Sequence, residues 1–263
     1  MNDRARRLLE RCGLFAVALV AAWLLKRHYS QASPEGLRWV LAPTAAVVQL
    51  ALDADLVFRP GEGYLSRELS ILISPACAGV NFLIVAFLSL ALGFGRSLPA
   101  GKQGALSLLA FAAVAYLTTL LVNALRICLS VWLAHLAARL LGLTFQSVHR
   151  LLGIAVYLAG LVTLCLTVQF WLRQRMRVPP RHSMLLVALG CYVTITLLVP
   201  LLGGAAQSPE YWGHAAPVSV LVGGLLALVF AAKGRTWDDG WHEFRSSEHP
   251  QPKPIAHQPA ARG

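Results

Sequence analysis

The sequence predicts an all-α fold, a polytopic integral membrane bundle of about 6–8 transmembrane or re-entrant helices. Three observations predict it. Of the 263 residues, 57% are apolar and only 13% charged, roughly half the charge of an ordinary soluble domain. Apolar runs near the ~20 residues that cross a bilayer recur along the chain. The basic residues behind the net charge of +11 gather at the ends of those runs, as the positive-inside rule expects. That distribution argues against nucleic acid as a partner, because a nucleic-acid face collects its basic residues on one helix or loop. The lipid bilayer is the expected surroundings.

Arg4, Arg6, Arg7 and Arg11 precede an apolar run over 13–25. No small-x-small cleavage site leads into a soluble domain, so the run reads as an uncleaved first helix with its N-terminus in the cytoplasm. Residues 37–52, with Pro43 inside, form a shorter stretch that barely crosses a ~30 Å core. Residues 53–74 are mixed polar, with Pro60, Gly61 and Gly63, and read as a loop with some extended structure. Strong spans follow at 77–94, 104–122, 151–172, 184–202 and 215–232. The stretch 127–141 is short and carries His135 and Arg139. Backbone groups in lipid must be satisfied within the segment, which makes these spans helices. Residues 1–232 thus form a membrane domain. From 233 to 263 the chain turns polar, with Pro250, Pro252, Pro254 and Pro259, and reads as a disordered cytoplasmic tail.

Charge sets an expected orientation. Arg173, Arg175, Arg177 and Arg181 mark one cytoplasmic loop, Arg96 and Lys102 another, and Lys233 and Arg235 the start of the tail. Cys77, Arg126 and His149 then fall at one outer boundary. The count closes only if 37–52 and 127–141 do not fully cross. Lys26 and Arg27, on the outer side, run against the charge pattern.

Five cysteines, Cys12, Cys77, Cys128, Cys165 and Cys191, have neither CxxC nor metal-type spacing. Their odd number and scatter argue against a disulfide framework. Each is by default a small buried hydrophobe. Cys77 departs from that default because of its setting, Ser74-Pro75-Ala76-Cys77-Ala78-Gly79-Val80-Asn81. Serine before proline, entering an apolar run, predicts a helix start with Ser74 as N-cap. Cys77 then sits in the first turn, where free N–H groups and the helix dipole favour a thiolate. Gly79 leaves room for a close approach, and Asn81 shares the face of Cys77.

Arg126, in Asn123-Ala124-Leu125-Arg126-Ile127, is a costly residue at depth in a membrane. Its planar, permanently charged donors suit a carboxylate or a developing oxyanion. The plainer reading is an arginine snorkelling at a helix end. His149 follows Thr144 and Ser147, two candidate caps, and opens the next helix. A neutral imidazole there can act as general base. The plainer reading is a solvated boundary histidine, which His135, His182 and His214 exemplify better. Together the three residues supply a nucleophile, a base and an electrophilic stabiliser. Asn123 either orients Arg126 or caps its helix. No carboxylate to orient His149 is evident. No HExxH or other metal-ligand spacing occurs, and no cofactor is expected.

At these residues the chain resembles the exosortase/archaeosortase family of membrane cysteine enzymes. The family order, Cys-x-Gly, then Asn-x-x-Arg, then a histidine opening a later helix, is met by Cys77-Ala78-Gly79, by Asn123 to Arg126, and by His149. The resemblance covers residues 74–153. The stretches Leu41-Ala42-Pro43-Thr44 and Gly63-Tyr64-Leu65 look like bacterial exosortases of the K-type branch. It implies a thiol protease or transpeptidase of the bacterial inner membrane, with its active site on the periplasmic side. The implied substrates are exported proteins ending in a short motif, a transmembrane helix and a basic tail. Two other function classes compete: a transporter or permease, and a non-catalytic subunit of an export system. Clear inverted repeats or paired broken helices would favour the transporter, and neither is evident in the sequence.

Overall fold

The structure, a computed structural model, describes residues 3–95, 101–141, 144–176 and 183–248. It is an all-α polytopic membrane bundle. The chain divides into two compact units, Met1–Ser219 and Val220–Gly263. The second holds the C-terminal part of the last helix.

Helix α1 spans Asp3–Gln31 and α2 Arg38–Leu52. Strands β1 (Val57–Arg59), β2 (Gly63–Ser66) and β3 (Ile71–Ile73) follow, then a 3-10 turn, Pro75–Cys77. The remaining helices are α3 (Val80–Phe94), α4 (Lys102–Leu141), α5 (Phe145–Met176), α6 (Ser183–Val193), α7 (Val199–Leu202) and α8 (Pro209–Glu248). A π-turn, Thr194–Leu198, joins α6 to α7. Among the described residues, six segments are long and apolar enough to cross a membrane: Leu8–Gln31, Pro75–Phe94, Lys102–Leu133, Val148–Arg175, Ser183–Leu202 and Pro209–Ala231.

Two sequence expectations change. The stretch 127–141 is not a separate segment but the continuation of α4. From residue 105 to 141 the chain has no glycine or proline, so Asn123 and Arg126 interrupt the hydropathy without interrupting the helix. The second change concerns the tail. Helix α8 runs on to Glu248, because no proline follows Pro217 until Pro250; residues 249–263 lie outside the described residues. Arg96, Arg177, Arg181 and His182 also lie outside them, as do the side chains of His135 and Arg139.

Helix α2, with 15 residues, is about 22 Å long and short of a bilayer core. It buries Val40, Leu41, Thr44, Ala45 and Val48 against α4 and β2. Pro43 lacks the N–H that would reach the Trp39 carbonyl four residues back. The Tyr116 hydroxyl of α4 supplies the missing donor, 2.6 Å from that carbonyl. The proline therefore costs less here than a helix-interior proline usually does.

The loop expected at 53–74 contains a three-stranded antiparallel sheet in the order β1-β2-β3. Phe58 pairs with Tyr64, and Tyr64 with Ile73. Gly63, at φ +126°, is required because a Cβ there would run into the Ile73 carbonyl. The Glu35 carboxylate accepts the Gly61 amide at 2.7 Å. Hydrogen bonds from Ser33 and from Gly61 hold the Glu35 carboxyl below its ordinary range. Fully buried Ile73 anchors β3 in a core shared with Val40, Leu41, Val80, Ile84 and Ala124. The sheet thus delivers the chain directly to Ser74 and the cysteine turn.

Candidate active site

Cys77 does not sit in the first turn of an α-helix. It ends the 3-10 turn Pro75–Cys77, in which its own N–H donates to the Ser74 carbonyl at 2.8 Å. Ser74 makes no side-chain cap. The α-helix starts only at Val80, after Gly79 takes the left-handed conformation at φ +71°. The sequence reading missed this joint because Ser-Pro starts a 3-10 turn as readily as an α-helix. Gly79 is also sterically necessary. A Cβ there would lie 3.2 Å from Asn123 Cγ, 3.3 Å from Thr119 Cγ2 and 3.3 Å from the Tyr157 hydroxyl.

Asn123 is fully buried and takes neither role considered for it. It sits mid-helix in α4, so it caps nothing. Its Nδ2 donates to the Cys77 carbonyl at 2.6 Å. Its Oδ1 accepts from the Tyr157 hydroxyl at 2.7 Å. Tyr157 stacks on Phe82 with centroids 5.0 Å apart, and the Arg126 guanidinium carbon lies 5.1 Å from its ring centroid. One tyrosine of α5 thus braces the cysteine turn through Asn123 and holds Arg126 by a cation–π contact.

Arg126 is not a snorkelling residue. It is 7% exposed, and its Nε and Nη2 are buried without a hydrogen-bond partner. Such a desolvated guanidinium is costly unless something anionic or strongly polar meets it.

His149 lies in the second turn of α5, because the helix already begins at Phe145, with the Val148 N–H donating to the Thr144 carbonyl at 3.1 Å. Its Nδ1 is 2.9 Å from Ser130 Oγ, and that hydroxyl donates to the Arg126 carbonyl at 2.8 Å. Asn81, in the first turn of α3, accepts from Lys26 Nζ at 2.7 Å. Lys26, which ran against the charge pattern, is therefore engaged at the site.

These residues surround one cavity of about 540 Å³, within the usual size range of a ligand site. Cys77, Gly79, Asn81, Arg126 and His149 all line it; Asn123 lies behind its wall. Tyr29, Tyr157, Thr196 and His214 also line it. His214 had no motif and read as a boundary histidine; at the start of α8 it instead faces the cavity. The lining comes from the end of α1, the cysteine turn, the start of α3, the middle of α4, the first turns of α5, the end of α6 with the π-turn and α7 after it, and the start of α8. No aspartate or glutamate lines it among the described residues. Nor is any group of three or more His, Cys, Asp or Glu side chains gathered there as metal ligands would be.

Tyr157 and Ser130 were the main omissions of the sequence reading, and helical spacing carries the signal for both. His149, Gly153 and Tyr157 recur every four residues on α5. Thr119, Asn123, Arg126 and Ser130 form a polar stripe at i, i+4, i+7 and i+11 on α4, and all four are buried. Splitting α4 after residue 122 hid that stripe. Compared with protein-family models, with curated proteins and with solved structures, the chain gives no match.

Proposed function

We propose that the protein is a membrane cysteine protease or transpeptidase of the exosortase/archaeosortase kind, cleaving C-terminal sorting signals of exported proteins. The observation that carries this reading is the meeting of Cys77, Arg126 and His149 on one cavity, from the cysteine turn, α4 and α5, three segments far apart in sequence. The basic residues Lys102, Arg173 and Arg175 stand at the opposite ends of α4 and α5 from the cavity. By the positive-inside rule, that supports a cavity opening on the outer side of the bacterial inner membrane.

In this mechanism His149 takes the thiol proton of Cys77. The thiolate attacks the carbonyl carbon of the scissile peptide bond, and Arg126 meets the oxyanion. The carbon–nitrogen bond breaks, His149 returns the proton to the leaving amine, and a thioester joins substrate to Cys77. Water, an acceptor amine or a lipid then attacks the thioester and frees the thiolate.

A transporter or permease is the rival reading. It draws on the same buried guanidinium, which suits a translocated anion. The test is to co-express the chain with an exported protein ending in a motif, an apolar helix and a basic tail. Cleavage followed by blot should vanish in both Cys77→Ala and His149→Ala. Cleavage that survives in both ends the enzymatic reading. Thiol labelling from outside intact cells gives a second check, in which Cys77 should react well ahead of buried Cys128 and Cys165.

A further inference from the structure

We infer that Ser130 is a positioning residue that fixes the tautomer of His149, keeping the ring proton on Nδ1 and leaving Nε2 as the basic nitrogen. The inference rests on the reading of His149 as general base, but its physical basis is a count of hydrogens. A serine hydroxyl carries one hydrogen. Ser130 Oγ donates that hydrogen to the Arg126 carbonyl oxygen at 2.8 Å, and a carbonyl has none to return. His149 Nδ1 lies 2.9 Å from the same Oγ. With its hydrogen committed, Oγ can only accept, so Nδ1–H must be the donor.

A neutral imidazole has one N–H. Placing it on Nδ1 makes Nε2 the only ring nitrogen able to accept the Cys77 proton. The opposite tautomer would set the Nδ1 lone pair against that of Oγ, or pull the hydroxyl away from Arg126. Ser130 is 2% exposed, so water cannot repair either loss. An unmade buried bond of this kind biases the tautomers roughly tenfold or more. A hydroxyl on the helix that carries Arg126 therefore does what an orienting carboxylate would do; among the described residues no aspartate or glutamate lines the cavity. The tie also couples the two helices, since the serine that reads His149 on α5 is anchored to the backbone of Arg126 on α4.

The experiment is nitrogen NMR on the full chain in lipid nanodiscs, labelled with ¹⁵N-histidine, at a pH well above the ordinary histidine range. The His149 signals are assigned by their loss in His149→Gln. The wild type should have a protonated Nδ1 and a bare Nε2. Ser130→Thr, which keeps the hydroxyl, should preserve that pattern. Ser130→Ala should move the ratio toward Nε2–H by roughly tenfold. A wild-type spectrum with the proton on Nε2 overturns the inference, and so does an unchanged ratio in Ser130→Ala. The readout does not depend on cleavage. If the tautomer is as stated and Cys77→Ala still cleaves, only the enzymatic reading falls.

Discussion

The side-chain amide of Asn123 donates to the main-chain carbonyl of Cys77 across 2.6 Å, joining residues 46 apart in sequence. The cysteine turn, which opens the segment Pro75–Phe94, is held on α4 by this bond. Asn123→Leu removes it and also strands the Tyr157 hydroxyl. The expected loss is about 1–3 kcal/mol, read as a lower thermal midpoint in detergent. Asn123→Asp keeps the acceptor for Tyr157 and should fall between leucine and the wild type. Equal midpoints for all three would mean that the bond contributes nothing.

Arg126 should show activity and stability moving apart. Its guanidinium is desolvated, with Nε and Nη2 unpartnered. An apolar residue of similar length removes that penalty, so Arg126→Met should match or exceed the wild type in thermal midpoint. Cleavage should fall by about 100-fold or more if the charge meets an oxyanion. Arg126→Lys should not restore it, because a lysine lacks the planar fork. A large drop in the midpoint of Arg126→Met would contradict the assignment of this charge to function.

Gly79 and Gly190 make a matched pair. Gly79 adopts φ +71° with Asn123, Thr119 and Tyr157 within 3.3 Å of any added Cβ. Gly79→Ala should cost about 1–2 kcal/mol from the backbone alone. Nothing lies within 4 Å of a Cβ at Gly190, in the interior of α6. Gly190→Ala should stabilise by about 0.5–1 kcal/mol. Thermal midpoints of the two variants, measured side by side, check the contrast; the same sign for both would refute it.

The Glu35 carboxylate reports on the loop above α2. Its folded value is depressed, by Ser33 first and then by the Gly61 amide. A depressed carboxyl contributes its bond above the ordinary glutamate range and loses it as pH falls through the folded value. The Gly61 amide resonance should therefore titrate with a midpoint below 4.5, the ordinary value. Glu35→Gln should abolish that titration. A midpoint at or above the ordinary value would show that the contact does not persist in solution.

Much of this site was legible in sequence because its chemistry is rare in lipid. A charged Arg126 and a proline-preceded Cys77 stand out against apolar surroundings, and both line the cavity. Tyr157 was not legible, because a tyrosine in a span is usually packing and its hydroxyl bond to Asn123 is a tertiary fact. The sheet at 57–73 was read only as partly extended, since its strands are 3, 4 and 3 residues long, too short for alternation to register. The error at residue 122 had one cause. Hydropathy marks where an apolar run stops, whereas backbone chemistry decides where a helix stops, and no glycine or proline follows Gly104 in α4.

The stripe of Thr119, Asn123, Arg126 and Ser130 makes α4 a ruler for the site. Asn123 sets the height of the cysteine turn, and Ser130, seven residues on, sets the ring of His149. Each residue of an α-helix advances the azimuth by about 100°. One residue inserted between Asn123 and Ser130 would swing the Ser130 end a quarter-turn away from α5 while leaving the Asn123 end in place. The count of residues between those two positions is thus as much a determinant of the site as their identities, and single-residue insertions there should be far less tolerated than substitutions at neighbouring lipid-facing positions such as Leu125.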